Sequence, residues 1–316
     1  QYASRNIFVK SANAVFRTIP IGGGYFGNLT LNDFTMRMDD ADRVFTVNRI
    51  GTTYINTIFN GAVTLENGAT ARGAYFDVGD DNNFHSGLGN LTFNGVISQT
   101  GAGAVNLRKR QGGVLVLSND NTYLGETRIE QGRLVLNHTG AAGGVGSNII
   151  MEMTNDRRGD LEFRIDGAGP FIYENNIVTQ GNDGGETRVI TVGSFSGSSA
   201  DQLVRLNGNL TIGHGGAHVA NGTGSSAIYF DGFDGYDFEV TGTTTLNRSI
   251  TFRTRGAITT LSGVVSGAAA NTLEKAEQGT LILSNNNTYA GNTDIYNGYL
   301  VAAHDNAFGT AVSNIT

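Results

Sequence analysis

Apolar and polar residues alternate in short runs along the chain, and Gly, Asn or Asp closes most of them. "GVLVL" at 113–117 and "GRLVL" at 132–136 show the pattern, with Leu115, Leu117, Leu134 and Leu136 at every second place. Period two puts successive side chains on opposite faces of an extended backbone, so such runs read as strands with one face toward a core. The two runs are 19 residues apart, and "GTLIL" at 279–283 is followed by "GYLVA" at 298–302 at the same step. A strand that recurs every ~20 residues and cannot bury its face alone stacks on its copy. The pattern predicts an all-β chain folded as a right-handed parallel β-helix, a solenoid of roughly 13–16 coils. Leu115 should stack on Leu134 and Leu281 on Leu300, with Leu117 and Leu283 continuing the stacks. Helical signals are nearly absent: "NTLEKAEQ" at 271–278 amounts to one or two turns, and it aligns with the poorly helical "VNLRKRQG".

The segments after these strands are also repeated. "SNDNTY" and "SNNNTY" place Asn119, Asn121, Asn285 and Asn287 just beyond a strand. There Asn tolerates the left-handed conformation, and its amide can pair with backbone or with a stacked neighbour. The longer pattern L-x-K-x-x-x-G-x-L-x-L-S-x-x-N-T-Y-x-G-x-T-x-I-x-x-G-x-L runs from Leu107 and Lys109 through Gly113, Ser118, Asn121, Tyr123, Gly125, Thr127 and Ile129 to Gly132 and Leu134. It returns from Leu273 and Lys275 through Gly279, Asn287, Tyr289, Gly291 and Ile295 to Leu300. The pattern resembles the autotransporter-associated β-strand repeat of bacterial passenger domains. That resemblance implies a β-helix carried at the bacterial surface or outside the cell.

The duplication extends beyond the motif. "YFDVGDDNNF" at 75–84 matches "YFDGFDGYDF" at 229–238, 154 positions later, whereas the motif copies are 166 apart; the increase reads as insertions in loops of the second copy. Two homologous units are expected, 51–149 and 207–316, behind a strand-rich segment 1–50 and separated by divergent coils 150–206. No Pro-rich or low-complexity linker divides them, so one continuous solenoid is expected.

Composition narrows the function. Gly accounts for 46 of 316 residues and Pro for 2, so glycine serves turns and close stacking. The net charge of −7 disfavours nucleic acid and anionic membrane as partners, and "RKR" at 108–110 is too short to offset it. There is no Cys, hence no disulfide framework or thiol chemistry, and no apolar run of membrane-spanning length. The chain opens at Gln1 and reads as a mature or trimmed product.

Acidic loops are the first candidate sites. Asp77, Asp80 and Asp81, and in the second copy Asp231, Asp234 and Asp237, crowd carboxylates into Gly- and Asn-rich segments that could supply Ca²⁺ with oxygens. Neither has EF-hand order, and solvated turns explain them as well. No other cofactor is expected. "RGD", Arg158, Gly159 and Asp160, would suit receptor adhesion if displayed on a loop. "NTD" at 292–294 and "GHG" at 213–215 occur in polygalacturonase-like hydrolases, but here their order is reversed, RIK is missing, and Asp294 aligns with Arg128. His214 and His218 would stand ~13 Å apart on a strand, too far to share a metal. His138 and His304 read as turn residues.

The expected function is a non-catalytic structural or adhesive surface protein, with a polysaccharide hydrolase or lyase as the alternative. Every strong signal concerns stacking: Leu115, Leu117, Leu134, Leu281, Leu283, Leu300, Asn121 and Asn287. "AVSNIT" at 311–316 aligns with "VGSNII" at 145–150, and neither terminus offers a polar capping helix. A β-helix with open ends needs cover, so the expected partner is further chain or another copy added head to tail, with surface glycans or host receptors beside it.

Overall fold

The computed structural model describes residues 5–10, 13–17, 27–38, 41–48, 55–79, 89–154, 157–181, 187–197, 201–214 and 226–309. Every regular element among them is a strand. The chain divides into two units, Gln1–Ile149 and Ile150–Thr316.

In the first unit the strands stand in three parallel columns. One holds Ile7–Val9, Phe34–Arg37, Val63–Glu66 and Ile97–Thr100. A second holds Asn13–Arg17, Arg43–Asn48, Arg72–Val78, Val105–Arg110 and Thr127–Ile129. The third holds Gly27–Leu31, Ile55–Phe59, Asn90–Phe93, Val114–Leu117 and Gly132–Leu136. The chain visits the columns in turn and each strand pairs with its counterpart one coil on. This is a parallel β-helix, in which the alternating pattern buries one row of side chains per strand.

The second unit repeats the plan. Its columns hold Arg157–Arg164, Thr187–Gly193, Ser226–Gly232, Ile250–Arg255, Leu273–Ala276 and Thr293–Ile295; Phe171–Tyr173, Leu203–Leu206, Asp237–Val240, Ile258–Leu261, Thr280–Leu283 and Tyr299–Ala302; and Asn176–Gly181, Leu210–His214, Thr244–Leu246 and Val265–Gly267. A short antiparallel contact, Met153 opposite Arg158, is the exception to parallel pairing among the described strands.

The leucine register is the expected one. Leu115 faces Leu134 and Leu117 faces Leu136 in the first unit, and Leu281 faces Leu300 in the second. The weak helical candidate at 271–278 forms the strand Leu273–Ala276, because Leu273 and Lys275 point inward at period two. Several strands depart from the half-buried pattern, such as Arg72–Val78 and Gly132–Leu136. Val114–Leu117 is buried on both faces, since Val114, Val116 and Val135 form a small apolar cluster on its outer side.

Aromatic residues fill the core. In the first unit Phe34 lies 4.9 Å from Phe45 and 5.1 Å from Phe59, and Phe93 lies 5.2 Å from Phe76 and 5.5 Å from Phe59, mostly edge to face. In the second, Phe230 stacks between Phe238 at 5.5 Å and Phe252 at 6.0 Å. Such contacts add about 0.5–1.5 kcal/mol per pair beyond area burial.

The change of offset between the copies has a different origin from loop insertion. Tyr75 pairs with Arg108, 33 residues on, and Arg108 lies in the strand that carries Leu107 of the motif. Tyr229 pairs with Arg253, only 24 residues on, and Arg253 pairs in turn with Ala276 in the strand that carries Leu273. Two short coils in the second copy thus replace one long coil in the first. A solenoid can gain a whole coil because each coil contacts only its neighbours.

Candidate functional site

The polar residues of the motif converge between coils. Asn121 is buried; its Oδ1 accepts the Ile97 N–H at 2.7 Å and its Nδ2 donates to the Ala141 carbonyl at 2.7 Å. Asn287 does the same with the Val265 N–H at 2.8 Å and the Ala307 carbonyl at 2.7 Å. Each amide therefore ties its own turn to the segment before and the segment after. The backbone is not left-handed at either Asn, contrary to the sequence expectation; the non-glycine residues with positive φ among those described are Gln111, Asp201, Asp234 and Glu277. Tyr123 packs inside with its hydroxyl 2.5 Å from Thr127 Oγ1, which donates to the Ala142 carbonyl at 3.0 Å. Tyr289 and Thr293 repeat the contact at 2.8 Å. Burial pushes the Tyr123 phenol well above its usual range.

Lys109 and Lys275 stand in the repeated motif, but sequence reasoning gave them no role. Both are buried, and each ammonium donates to three carbonyls. Lys109 Nζ reaches Arg110 O at 2.8 Å, Gln111 O at 2.6 Å and Gln131 O at 3.0 Å. Lys275 Nζ reaches Ala276 O at 2.7 Å, Glu277 O at 2.7 Å and Asn297 O at 3.0 Å. Burial lowers Lys109 to about 7; Asp77 opposes that shift and Arg133 adds to it. The signal was a Lys at an inward place of an alternating strand, in both copies.

The outer face beside the motif carries a second recurring set. Arg110 grips Asp77 through Nε at 2.6 Å and Nη2 at 2.8 Å, while Arg108 donates to Tyr75 Oη at 2.9 Å and to Glu130. Both guanidiniums lie within 5 Å of the Tyr75 ring centre, at 4.9 and 4.6 Å. Arg255 grips Asp231 at 2.8 and 2.6 Å, Arg253 donates to Tyr229 Oη at 2.8 Å, and the two guanidiniums lie 4.1 and 5.2 Å from the Tyr229 ring. The "YFD" recurrence and the R-x-R pairs at 108–110 and 253–255 were the sequence traces of these sets.

Four of the six acidic candidates can be placed. Asp77 and Asp231 are bound to arginine as above. Asp234 Oδ2 accepts the Ser194 hydroxyl at 2.6 Å, and Asp237 Oδ1 accepts the Ile258 N–H at 2.7 Å. Asp80 and Asp81 lie outside the described residues. Among the described residues there is no group of three or more His, Cys, Asp or Glu that could hold a metal.

Arg158, Gly159 and Asp160 lie within the strand Arg157–Arg164, not on a loop. Asp160 is 5% exposed, its Oδ1 lies 3.0 Å from Arg158 Nε and accepts the Val189 N–H at 3.2 Å. Burial raises its carboxyl to about 6 against the pull of Arg158. The hydrolase-like tripeptides are not brought together. Gly213 and His214 end the strand Leu210–His214, Gly215 and His218 lie outside the described residues, and Asp294 stands in another column opposite Glu274. Each of His138 and His304 accepts a nearby turn N–H through Nδ1, from Gly140 at 3.1 Å and Asn306 at 3.0 Å.

The class that the geometry defines is the parallel β-helix, with repeated polar residues bonding one coil to the next; comparison with known proteins adds to that. The passenger-associated-transport-repeat family matches residues 107–136 and 273–302, the two motif copies. The adhesin BmaC autotransporter of Brucella suis biovar 1 (strain 1330) is 29% identical over 304 residues, an alignment covering 80% of this chain and 8% of that protein. The chain thus spans a small fraction of the relative's length. No solved structure matches. The chain carries two autotransporter passenger repeats, and its place is the bacterial cell surface or the extracellular space. No helix among the described residues is long and apolar enough to cross a membrane.

Proposed function

We propose that this chain is a non-catalytic adhesive segment of a surface-displayed β-helix, presenting its outer face to host or bacterial surface molecules. The observation that carries the reading is where the repeat's polar residues go. Asn121, Lys109 and their counterparts in the second copy are buried and bonded between coils, and Tyr123 is buried and bonded to Thr127 four residues on, so the recurring chemistry serves construction, not a reaction. The Brucella relative, named as an adhesin, supports the adhesive part. The test is saturable binding of the purified chain to host cells and to glycan and matrix arrays, beside incubation with a polysaccharide panel. Binding without turnover is expected. Depolymerisation that is lost in Asp294→Asn or Asp231→Asn would replace the adhesive reading with an enzymatic one.

Head-to-tail contact with further chain or a second copy is part of the proposal. Tyr296, Tyr299 and Val301 are exposed in the second repeat, whereas their counterparts Glu130, Arg133 and Val135 are partly or fully covered in the first. Parallel stacking of another coil would cover such a surface. Light scattering and negative-stain images of the purified chain should show end-on assembly, and a dispersed monomer at all concentrations would remove this part.

A further inference from the structure

We infer that Lys109 and Lys275 serve as tethered cations, each closing a carbonyl cage that holds a non-glycine residue in the left-handed conformation where two coils meet. The residue two places after each lysine is the one held. Gln111 has φ of 64° and Glu277 has φ of 65°. An L-residue at such φ is disfavoured and persists when its surroundings over-determine it. The carbonyl of that same residue is one of the three that the ammonium grips, at 2.6 Å in the first copy and 2.7 Å in the second.

The third acceptor in each cage comes from the coil that follows, Gln131 O and Asn297 O, both at 3.0 Å. The residue after each is a glycine at positive φ, Gly132 at 77° and Gly298 at 78°. A Cβ there would approach the lysine Nζ to 2.9 and 2.7 Å, so a side chain at either place would crowd the ammonium. Glycine is needed at these two places for the turn and to leave the cage open. The other partner of the pair, Gln111 or Glu277, needs no such freedom while the cation holds it.

A stack of convergent carbonyls is what a bound metal ion would take as ligands. Here the positive charge arrives on a side chain, with three donors for three acceptors. The two cages match in every member: the lysine, the residue after it, the left-handed residue and the carbonyl before the next coil's glycine. Within the shared motif, the three residues between each lysine and the motif glycine that follows, Gly113 or Gly279, are unlike, "KRQGG" against "KAEQG". The identity of geometry over unlike residues points to the cage and not to the side chains of the turn.

The decisive measurement is a double-substitution cycle on the full chain, melting the wild type, Lys109→Met, Gln111→Gly and the pair. Met keeps the stem and removes the donors, and Gly takes positive φ without help. Lys109→Met should lower the melting temperature by several degrees, and Gln111→Gly should recover part of that loss while changing the wild type little. A merely space-filling lysine would give the same Gln111→Gly effect in both backgrounds, and that result, or a Lys109→Met chain melting with the wild type, overturns the inference. Should Lys109→Met fail to fold, nitrogen-15 spectra of the wild type at pH 6 decide: two slowly exchanging lysine ammonium signals are expected, and rapid exchange of every ammonium overturns the inference.

Discussion

Asn121 shows how much of the stability of this fold rests on single side chains. Its amide joins the Ile97 N–H to the Ala141 carbonyl inside the protein, where water cannot replace it. Leaving a buried backbone group unpaired costs about 1–3 kcal/mol. Asn121→Ala should therefore lose about 2–4 kcal/mol in urea denaturation, and Asn287→Ala a similar amount. Asn119→Ala, whose amide contacts lie at the surface, should lose much less. Asp160 supplies a pH test. Its carboxyl stands at about 6 in the folded chain, above the ordinary 3.8. Between those values the folded chain holds a proton that the unfolded chain has released, so stability from this group falls as pH climbs toward 6 and is flat above it. Asp160→Asn keeps an acceptor for the Val189 N–H and removes the titration. Its melting temperature should gain on the wild type from pH 4 to 6.5 and then run parallel; a constant difference across that range would contradict the assignment.

The strand is the element of this fold, and the corner between strands is where coils come closest. A Cβ on Gly95 would run into the carbonyl of Gly61 one coil before it, and backbone cannot yield as a flexible side chain can. Gly95→Ala should cost about 1–3 kcal/mol by overpacking, while Val96→Ala at the next, exposed position should be near neutral. Leu115→Asp, inside the Leu91, Leu115 and Leu134 stack, should cost several kcal/mol because the carboxylate has no partner there. Thermal unfolding of the three variants ranks them, and the order Asp, then Ala at 95, then Ala at 96 is the expected one.

For the whole molecule the open questions are what it needs in order to fold and what it touches. The carboxylates of Asp77 and Asp231 are each held by an arginine fork, and the lysine cages supply positive charge where carbonyls converge. EDTA should then leave the melting temperature unchanged, and added Ca²⁺ should not raise it; a reversible shift of several degrees would assign a metal to the acidic loops through mass action. The fold was legible where the signal is local. Alternation at 113–117 and 132–136, at a step of 19, was enough to place Leu115 on Leu134, and the motif was enough to identify the passenger repeat.

The sequence by itself determined the strands, their inward faces, and the pairing of coils that share one length, because period two and a constant step are properties of the backbone. Only the tertiary structure decided which distant residues meet. Tyr75 meets Arg108 after 33 residues and Tyr229 meets Arg253 after 24, and no single step predicts both. The same holds for the cages: Lys109 finds its last acceptor 22 residues on because the next coil returns its backbone there. Nor could the tripeptide at 158–160 be judged from its letters, since its burial depends on the neighbouring strand Thr187–Gly193, whose Val189 N–H binds Asp160. Local pattern sets the coil, and the length of each coil, free to vary at its loops, sets which side chains from successive coils come into contact.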